Sequence, residues 1–272
     1  MKKQRVDILL VERGLAESRA QAQRLVMAGQ VRCDGQIVLK PSQNAPAGSE
    51  LVVDQGPRYV SRGGEKLEAA LEGFSIRVDG WVCADVGAST GGFTDCLLQS
   101  GATRVYAIDV GQGILHWKLR QDGRVVVLEK TNARFLERLP EPVDLVTIDA
   151  SFISLKLLLP VVCGWIKPPA SETSPGDTVL ALIKPQFEAG RRQTARGDGV
   201  IRDAAIHRQV LDDVLGFAQS SGYGVQGLIP SPLLGPKGNV EFLVWLAYPG
   251  APRQDLDALI EHALGAALQS RM

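Results

Sequence analysis

Apolar residues recur at helical spacing in two short segments near the start of the chain. In RVDILLVERGL, the residues Val6, Leu9 and Leu10 fall on one helical face. Ser18 is a typical N-cap for a second helix, RAQAQRLVMA, which is predicted to stop at Gly29. The chain is therefore predicted to begin with two short helices.

Extended runs follow these helices. QVRC and QIVL flank the dipeptide Asp34-Gly35, which is the strongest local signal for a β-hairpin. KPSQNAPAG is predicted to be a loop, and ELVVD a strand that closes the unit. Residues 1–58 are therefore predicted to form one small α+β domain, followed by a linker at 59–64.

From residue 65 onwards, apolar runs alternate with segments that are mostly long enough for crossover helices. The strand candidates are WVCADVG, RVYAIDVG, VVVLEK, VDLVTIDAS, TVLALIKP, YGVQGLIPS and NVEFLVWLAY. Nearly continuous apolar strands are typical of a sheet that is buried on both faces. Residues 65–272 are therefore predicted to form a Rossmann-like α/β domain. Its sheet should be mostly parallel, and the short loop PLLGPKG predicts an antiparallel pair at one edge.

Composition narrows the class of protein. Hydrophobic residues make up 45% of the 272 residues and charged residues 22%, which is typical of an ordered globular chain. The formal net charge is zero, yet residues 1–60 contain nine Lys/Arg against six Asp/Glu, a balance of +3. This basic end is a weak indication of a polyanionic partner.

Several kinds of site and segment are not expected. The cysteines stand far apart without histidines at ligand spacing, so we expect reduced thiols and no metal site. The first apolar stretch is interrupted by Asp7 and Glu12 and lacks a signal-peptide core. The most apolar region, 143–166, contains charged residues and falls short of a membrane span. We therefore expect a cytoplasmic protein.

The order of elements in residues 5–55 resembles the S4-type RNA-binding domain, and SRAQAQRLVMAGQVRCDG carries most of the likeness. The resemblance implies that arginines of this unit, together with one in YVSRGG, contact RNA phosphates. The candidates are Arg5, Arg19, Arg24 and Arg62. The alternative, that these arginines only solvate the surface, stays open.

The stretch ADVGASTGGFTD follows the first strand of the second domain. A glycine-rich turn between a strand and a helix lets a ligand approach the backbone amides closely. The nicotinamide fingerprint is absent, and Asp85 would repel a pyrophosphate but attract a cationic ligand. Asp109, at the tip of the next strand, can accept the hydroxyls of a ribose.

These two acids around a glycine loop resemble S-adenosylmethionine (SAM) methyltransferases. The resemblance implies SAM as the cofactor and contacts from the loop and from the neighbouring strand ends. The candidate contacts are Asp85, Gly87, Ala88, Ser89, Thr90, Gly91, Gly92, Phe93, Asp109, Asn132, Asp149 and Phe152. The alternative is an ordinary strand-turn-helix corner.

Charged residues end two other apolar strands. Lys184 closes TVLALIKP and Glu241 opens VEFLVWLAY, and buried charges are costly unless they are paired in a site. The fourth strand ends in Asp149-Ala-Ser-Phe152, without the Pro-Pro of amine methyltransferases, so a base nitrogen is not the favoured target. These ends should meet at the crevice where such folds bind ligands.

Lys66, Asp149, Lys184 and Glu241 match, in order, the Lys-Asp-Lys-Glu tetrad of FtsJ-type ribose 2′-O-methyltransferases. With the S4-type domain and the motifs GASTGGFTD and YVSRGGEKL, the chain is similar to the TlyA family. These are rRNA cytidine 2′-O-methyltransferases that also carry the name hemolysin A. The likeness weakens only in CGWIKPPASETSPGD and after about residue 250. It implies ribosomal RNA or ribosomal subunits as the partner.

Chemistry suggests a role for each tetrad residue. A ribose hydroxyl must lose its proton as it attacks the methyl group, and a neutral lysine can take that proton. We assign Lys184 as this base, with the sulfonium and Lys66 as the positive neighbours that favour its neutral form. Asp149 would align Lys184, and Glu241 would orient Lys66 or the ribose.

Two alternatives to an active methyltransferase remain, a pore-forming hemolysin and an RNA-binding assembly factor that is catalytically idle. The loop at 188–203, with its arginines and glycines, is either a mobile grip on RNA or an ordinary solvated loop. His116 and His207 are isolated, and surface roles are expected for both.

Overall fold

The structure is a computed structural model that describes residues 3–54, 56–167, 177–190 and 199–269. The chain forms two compact units, Met1–Arg58 and Tyr59–Met272. Each unit has an apolar core of its own. They are called unit 1 and unit 2 below.

The described residues of unit 1 form two helices and five short strands. They are β1 (Lys3–Arg5), α1 (Val6–Glu12), α2 (Arg19–Met27), β2 (Val31–Cys33), β3 (Gln36–Ile37), β4 (Asn44–Pro46) and β5 (Leu51–Val53). β2 pairs with β3 and with β5, and β1 pairs with β4, all antiparallel. Val6, Leu9 and Leu10 of α1 are buried in the core, as the helical spacing predicts.

The predicted cap and hairpin of unit 1 are confirmed, whereas the predicted loop KPSQNAPAG is wrong in part. The Ser18 hydroxyl accepts a hydrogen bond from the Gln21 amide at 3.3 Å. Asp34 and Gly35 both have positive φ, 49° and 80°, which suits a tight hairpin turn. The segment contains β4, which forms by pairing with β1. The sequence did not predict this strand, because three residues are too few to show a periodicity.

Unit 2 contains the large sheet. Its strands are β6 (Val82–Val86), β7 (Arg104–Ile108), β8 (Val125–Leu128), β9 (Leu145–Ile148), β10 (Asp177–Ile183), β11 (Gly224–Pro230) and β12 (Phe242–Tyr248). Its helices are α3 (Gly63–Gly73), α4 (Gly92–Gln99), α5 (Trp117–Arg120), α6 (Leu159–Val162), α7 (Pro185–Glu188), α8 (Ala204–Ser220) and α9 (Leu256–Gln269). Short 3-10 turns occur at Ala133–Phe135, Leu155–Leu157, Cys163–Trp165 and Pro236–Gly238.

The strand order of the sheet is β11-β12-β10-β9-β6-β7-β8. β10, β9, β6, β7 and β8 are parallel, whereas β12 is antiparallel to both β10 and β11. The predicted Rossmann-like sheet with an antiparallel edge is therefore confirmed. Since β12 runs in reverse, its start lies at the same edge of the sheet as the ends of β6, β9 and β10.

Helices cover both faces of this sheet, and alternate residues of a strand face different cores. In β10, Leu180 and Leu182 pack on the side of α3, α4 and α5, whereas Val179 and Ala181 pack on the side of α6, α8 and α9. Burial on both faces explains the nearly continuous apolar strands of the sequence. It also leaves the strand ends as the place where polar side chains gather.

The segment 59–64, predicted as a linker, is part of unit 2. Tyr59 is buried against Gly64, where a Cβ atom would lie 2.2 Å from the Tyr59 ring. α3 already begins at Gly63. The segment therefore fixes the start of α3 within unit 2.

Candidate active site

The glycine loop after β6 turns back towards the neighbouring strand β9. Gly87 has φ of 84°, and a Cβ atom there would lie 2.8 Å from the backbone oxygen of Asp149. Only glycine adopts this conformation and leaves this space without strain. The loop and the end of β9 are therefore packed backbone to backbone.

The starts of α3 and α4 also meet at glycines. A Cβ atom on Gly92 would lie 2.3 Å from the Ser61 hydroxyl oxygen and 2.8 Å from the Gly64 amide nitrogen. The N-cap residues of both helices make no side-chain hydrogen bond, although the Gly64 amide donates to the backbone oxygen of Ser61 at 3.1 Å. This close approach explains the motif SRGGEK, because it brings Lys66 of α3 beside the glycine loop.

These elements enclose one cavity of about 650 Å³, a volume typical of a small-ligand site. The predicted site residues that line it are Arg62, Lys66, Gly87, Ala88, Ser89, Thr90, Gly92, Phe93, Asp149, Phe152, Lys184 and Glu241. The four charged residues of the predicted tetrad therefore converge on one cavity, although they come from four separate parts of unit 2.

The four charged side chains form two ion pairs. Lys66 Nζ lies 2.5 Å from Glu241 Oε2, and Lys184 Nζ lies 2.6 Å from Asp149 Oδ1. Both lysines and Glu241 are buried. Each buried charge thus has an opposite charge beside it, which is the condition under which burial is tolerated.

Neutral groups complete the surroundings of both pairs. Lys184 Nζ donates to the Ser151 hydroxyl at 3.1 Å and to the backbone oxygen of Asp149 at 3.3 Å. Gln186 Nε2 donates to Glu241 Oε1 at 3.2 Å. Both carboxylate oxygens of Glu241 therefore accept from protein donors. Of the two predicted roles for Glu241, orienting Lys66 fits these contacts better than orienting the ribose.

Glu188 joins the two segments that carry Asp149 and Lys184. Its carboxylate accepts from the Ser154 hydroxyl at 2.5 Å and from the Leu155 amide at 2.7 Å. Burial raises the pKa of Glu188 above its usual range, and these hydrogen bonds oppose the rise. α7, which follows Lys184, is thereby fastened to the turn that follows Asp149.

Asp85 lies beneath the glycine loop and does not line the cavity. Its carboxylate accepts from the hydroxyls of Thr94 at 2.6 Å and Thr147 at 3.2 Å, and the side chain has no exposed surface. Burial raises the pKa of Asp85 to about 7, the Thr94 hydrogen bond lowers it, and the charge of Asp149 raises it. Asp85 was predicted to contact a cation directly. In the structure α4 and β9 cover its side chain, so the carboxylate does not reach the cavity.

Replacing Asp85 by asparagine should make stability less dependent on pH. Because the pKa of Asp85 is raised from 3.8 to about 7, its stabilising contribution is complete below about pH 4 and is lost as the pH rises through 7. The Asp85→Asn variant lacks this loss. The difference in the free energy of unfolding between the variant and the wild type should therefore rise with pH in favour of the variant. The total rise should be roughly 1.4 kcal/mol for each unit by which folding raises the pKa of Asp85.

Urea unfolding of both proteins at about pH 5 and about pH 8 measures this effect. Asp95→Asn is a control, since Asp95 is a second buried aspartate and lies in α4. An advantage of Asp85→Asn that is equal at both pH values would contradict a raised pKa for the buried carboxyl.

Asp109 and Asn132 lie at the ends of the neighbouring strands, outside the lining of the cavity. Asp109 Oδ2 accepts from the Ser89 amide at 2.8 Å, and Oδ1 accepts from the Gly111 amide at 2.7 Å. The Asn132 side-chain oxygen accepts from the Arg134 amide at 3.1 Å, while the residue is exposed. Gly91 also stays outside the lining and packs against Leu119.

Phe152 lies at the rim of the cavity. Its side chain is 89% exposed, its φ is 63°, and its ring centroid is 4.8 Å from that of Phe187. A residue this exposed is not part of the apolar core of unit 2. The two rings form an apolar edge at the mouth of the cavity.

The predicted RNA-binding arginines differ in their surroundings. Arg5 and Arg19 both donate to the carboxylate of Asp7, which has no exposed surface. The Arg5 guanidinium is the main cause that holds the pKa of Asp7 well below its usual range. Arg24 is exposed in α2, and Arg62 is exposed beside Lys66. Arg5 and Arg19 therefore have a structural partner that the sequence pattern did not indicate.

Several residues of the cavity were missed by sequence reasoning. Among them are Ser61, Gly63, Ser151, Gln186, Phe187, Leu233, Leu234, Lys237 and Asn239. Ser61 stands in the quoted motif YVSRGGEKL, and Ser151 and Gln186 each stand two residues after a tetrad member, so proximity in sequence was an available signal. His207, expected at the surface, is buried, and its Nε2 lies 3.2 Å from the Ile201 oxygen.

A metal site and a membrane-spanning helix were both not expected, and the structure bears on each only in the described parts of the chain. Within them, the His, Cys, Asp and Glu residues do not gather in threes that would hold a metal ion. Among these same residues, none of the helices has the length and hydropathy that a bilayer crossing needs. Half of the predicted loop at 188–203 lies outside the described residues, which stop at 190 and resume at 199.

Comparison with known proteins identifies relatives of both units. Residues 59–248 match the family model of FtsJ-like methyltransferases, and residues 4–51 match the S4 domain. TlyA of Mycobacterium tuberculosis, named as a 16S/23S rRNA (cytidine-2′-O)-methyltransferase, is 48% identical over 246 residues, which cover 89% of each chain. YqxC of Bacillus subtilis (strain 168), provisionally named an rRNA methyltransferase, is 45% identical over 96% of this chain and 94% of its own.

A solved structure has the same fold over the full chain. It is provisionally described as a hemolysin from Streptococcus thermophilus and is 44% identical. The two structures superpose with a TM-score of 0.74 over 100% of this chain and 98% of the other. Proteins that are named methyltransferases and proteins that are named hemolysins thus share this sequence pattern.

Proposed function

Because this chain belongs to the FtsJ-like methyltransferases, and among them to the TlyA family, we propose that it methylates a ribose 2′-hydroxyl of cytidine in ribosomal RNA, with SAM as the donor. The observation that carries the proposal is the convergence of Lys66, Asp149, Lys184 and Glu241 in one cavity beside the glycine loop. A ribosomal RNA substrate would place the reaction in the cytoplasm.

The cavity has the groups that SAM requires. The starts of α3 and α4, with the Ser61 hydroxyl, form a cluster of donors that suits the carboxylate of the methionine part. The two oxygens of Asp109 each have one amide donor and keep lone pairs for the ribose hydroxyls of the cofactor. Val110, 70% exposed beside Asp109, offers an apolar surface to the adenine.

Bound SAM supplies an electrophilic methyl group on a sulfonium, and the protein supplies alignment and a base. Lys184 in its neutral form takes the proton of the 2′-hydroxyl, and Asp149 holds the amine in place at 2.6 Å. Lys66, fixed by Glu241 and Gln186, donates to the ribose. Alignment of the reacting groups contributes up to ~7–11 kcal/mol, more than a single proton transfer.

Asp85 has an indirect part in this scheme. Since its pKa of about 7 leaves it partly ionised at neutral pH, a cationic cofactor above the loop would favour the ionised form. Its threonine partners keep the glycine loop anchored to α4 and β9. Asn132, with its side-chain NH2 group exposed, is proposed to contact the adenine.

Unit 1 supplies general affinity for RNA. Arg24 is exposed in the second helix of the S4 domain, in the region that carries the family likeness. Arg62 extends the set to the mouth of the cavity. Contacts of this kind with phosphates position the RNA without reading its sequence.

Replacing Arg24 by alanine should weaken RNA binding by a similar factor for every RNA sequence. The loss of one phosphate contact should reduce the slope of log affinity against log salt concentration by about one. Filter binding to ribosomal RNA fragments over a salt series measures both effects. Arg253→Ala is the control, because that guanidinium is paired with Asp255 in unit 2. An unchanged slope in Arg24→Ala would exclude this contact.

The proposed function is tested by mapping ribose methylation in ribosomal RNA from cells with and without the gene. Cells that lack it should lose 2′-O-methylation at one or more cytidines, and a plasmid copy should restore it. A copy with Lys184→Met should not. A methylation map that is identical in both cell lines would reject the proposal.

Neither alternative is favoured by any contact of the described residues. A catalytically idle assembly factor would have no need for two ion pairs that line a cofactor-sized cavity. A pore-forming activity would persist in a Lys184→Met protein that is purified without detergent. Red-cell lysis by that protein is therefore the measurement that separates the hemolysin from the methyltransferase.

A further inference from the structure

Ser151 is the neighbour of Lys184 that the tetrad does not include. Its hydroxyl oxygen lies 3.1 Å from Lys184 Nζ, and the residue is exposed and lines the cavity. Within the described parts of the chain, the other hydrogen-bonding neighbours of the amine are Asp149 Oδ1 at 2.6 Å and the backbone oxygen of Asp149 at 3.3 Å. Lys184 is thus surrounded by two oxygens of one residue and one hydroxyl.

These three neighbours differ in what they can donate. A carboxylate oxygen and a backbone oxygen only accept hydrogen bonds, whereas a hydroxyl both accepts and donates. When Lys184 is neutral, its lone pair needs a partner that donates. Of these three groups, Ser151 alone can turn its O–H towards that lone pair.

The difference in exposure between Ser151 and Lys184 also favours a role for the Ser151 hydroxyl. The Lys184 side chain is only 8% exposed, whereas Ser151 is exposed at the cavity. The Phe187 ring lies on another side of the amine, 5.9 Å from Nζ to the ring centroid. Ser151 is therefore the more accessible of the two groups to a substrate hydroxyl in the cavity.

We propose that Ser151 is a catalytic residue that relays the proton of the ribose 2′-hydroxyl to Lys184. This inference rests on the proposed function. The 2′-O–H bond breaks as Ser151 Oγ accepts the proton, and the original Ser151 proton passes to neutral Lys184, which becomes an ammonium. The 2′-oxygen forms its bond to the methyl carbon, and the carbon–sulfur bond breaks to leave a thioether. One positive charge is present before and after the step.

The test compares Ser151→Ala with Ser151→Thr, which keeps the hydroxyl, and with Ser100→Ala. Ser100 is an exposed serine at the end of α4 and controls for the loss of a hydroxyl elsewhere. Single-turnover methylation rates are measured in mixtures of H2O and D2O. SAM affinity by calorimetry and RNA affinity by filter binding are measured for each variant.

A relay predicts a specific pattern. Ser151→Ala should lose about 100-fold in rate, the lower end of what proton transfer contributes, while its SAM and RNA affinities stay within about twofold of the wild type. The dependence of rate on D2O fraction should be curved in the wild type, because two protons move, and linear in Ser151→Ala. Ser151→Thr should keep the curvature and most of the rate.

Two results would overturn the relay. One is a Ser151→Ala rate close to that of the wild type, with the same curved dependence on D2O. The other is a loss of SAM or RNA affinity that accounts for the whole loss of rate, since that would make Ser151 structural. A wild-type protein without any methyl transfer would overturn the proposed function itself, and this outcome is distinguished because it does not depend on the Ser151 variants.

Discussion

Replacing Lys184 by methionine is expected to lower the rate of methyl transfer by about 10²–10⁴-fold, the range that a general base contributes. Methionine has a similar length and no amine, so it fills the space beside Asp149 without accepting a proton. SAM binding should persist, because close backbone packing at Gly87 and Gly92 holds the glycine loop and the starts of α3 and α4. Single-turnover kinetics and calorimetry measure the two effects separately.

The chain provides a matched control for this variant. Lys167 forms an ion pair with Asp144 at 2.6 Å, the same distance as the pair of Lys184 and Asp149. Asp144 precedes β9, at the opposite edge of the sheet from Asp149, which follows it. Lys167→Met should therefore leave the rate unchanged. A Lys184→Met rate within a few-fold of the wild type would mean that the base is another group.

The second large effect is expected from Gly92→Ala. A methyl group at this position would lie 2.8 Å from the Gly64 amide nitrogen and 2.3 Å from the Ser61 hydroxyl oxygen. Since the nearest backbone belongs to the start of α3, that helix must move, and Lys66 moves with it. We expect SAM affinity to fall at least about tenfold and the free energy of unfolding to fall by about 1–3 kcal/mol, as in overpacked cores.

Gly216→Ala is the control for this change. Gly216 lies within α8, and a Cβ atom there would have no neighbour within 4 Å. Alanine is favoured over glycine inside a helix by roughly 0.5–1 kcal/mol, so this variant should be slightly more stable and bind SAM normally. Normal SAM affinity in Gly92→Ala, measured by calorimetry, would contradict the close packing of α3 against α4.

Much of the site was predictable from where charged residues stand relative to strands. Asp149 and Lys184 each follow an apolar strand directly, and Glu241 directly precedes one. Because β12 runs opposite to β9 and β10, its start lies at the same edge as their ends. The alternation of strands and helices fixed this edge before any contact was known.

The remainder depended on contacts between distant segments. The sequence does not reveal that Thr94 and Thr147 cover Asp85, since the three residues meet only after α4 and β9 pack beside β6. The pairing of β1 with β4 was missed because three-residue strands have no periodicity to detect. In each case packing between distant segments determined the structure, and the local sequence pattern did not distinguish between the alternatives.

The arginines of unit 1 illustrate the same limit. A basic pattern in a short helical unit favours RNA binding, and it gave Arg5, Arg19 and Arg24 equal weight. Asp7, in the first turn of α1, is buried and accepts from Arg5 and Arg19. Only the folded unit separates the arginines that pair with Asp7 from Arg24, which is exposed in α2.

The most direct test of ribose methylation is to find where the transferred methyl group resides. Ribosomal RNA that lacks the modification would be incubated with the protein and SAM carrying a deuterated methyl group, digested to nucleosides and analysed by fragmentation mass spectrometry. If the ribose 2′-hydroxyl is the acceptor, the label stays with the ribose fragment of cytidine and is absent after reaction with Lys184→Met. Label on the base fragment, or none in any nucleoside, would contradict ribose methylation.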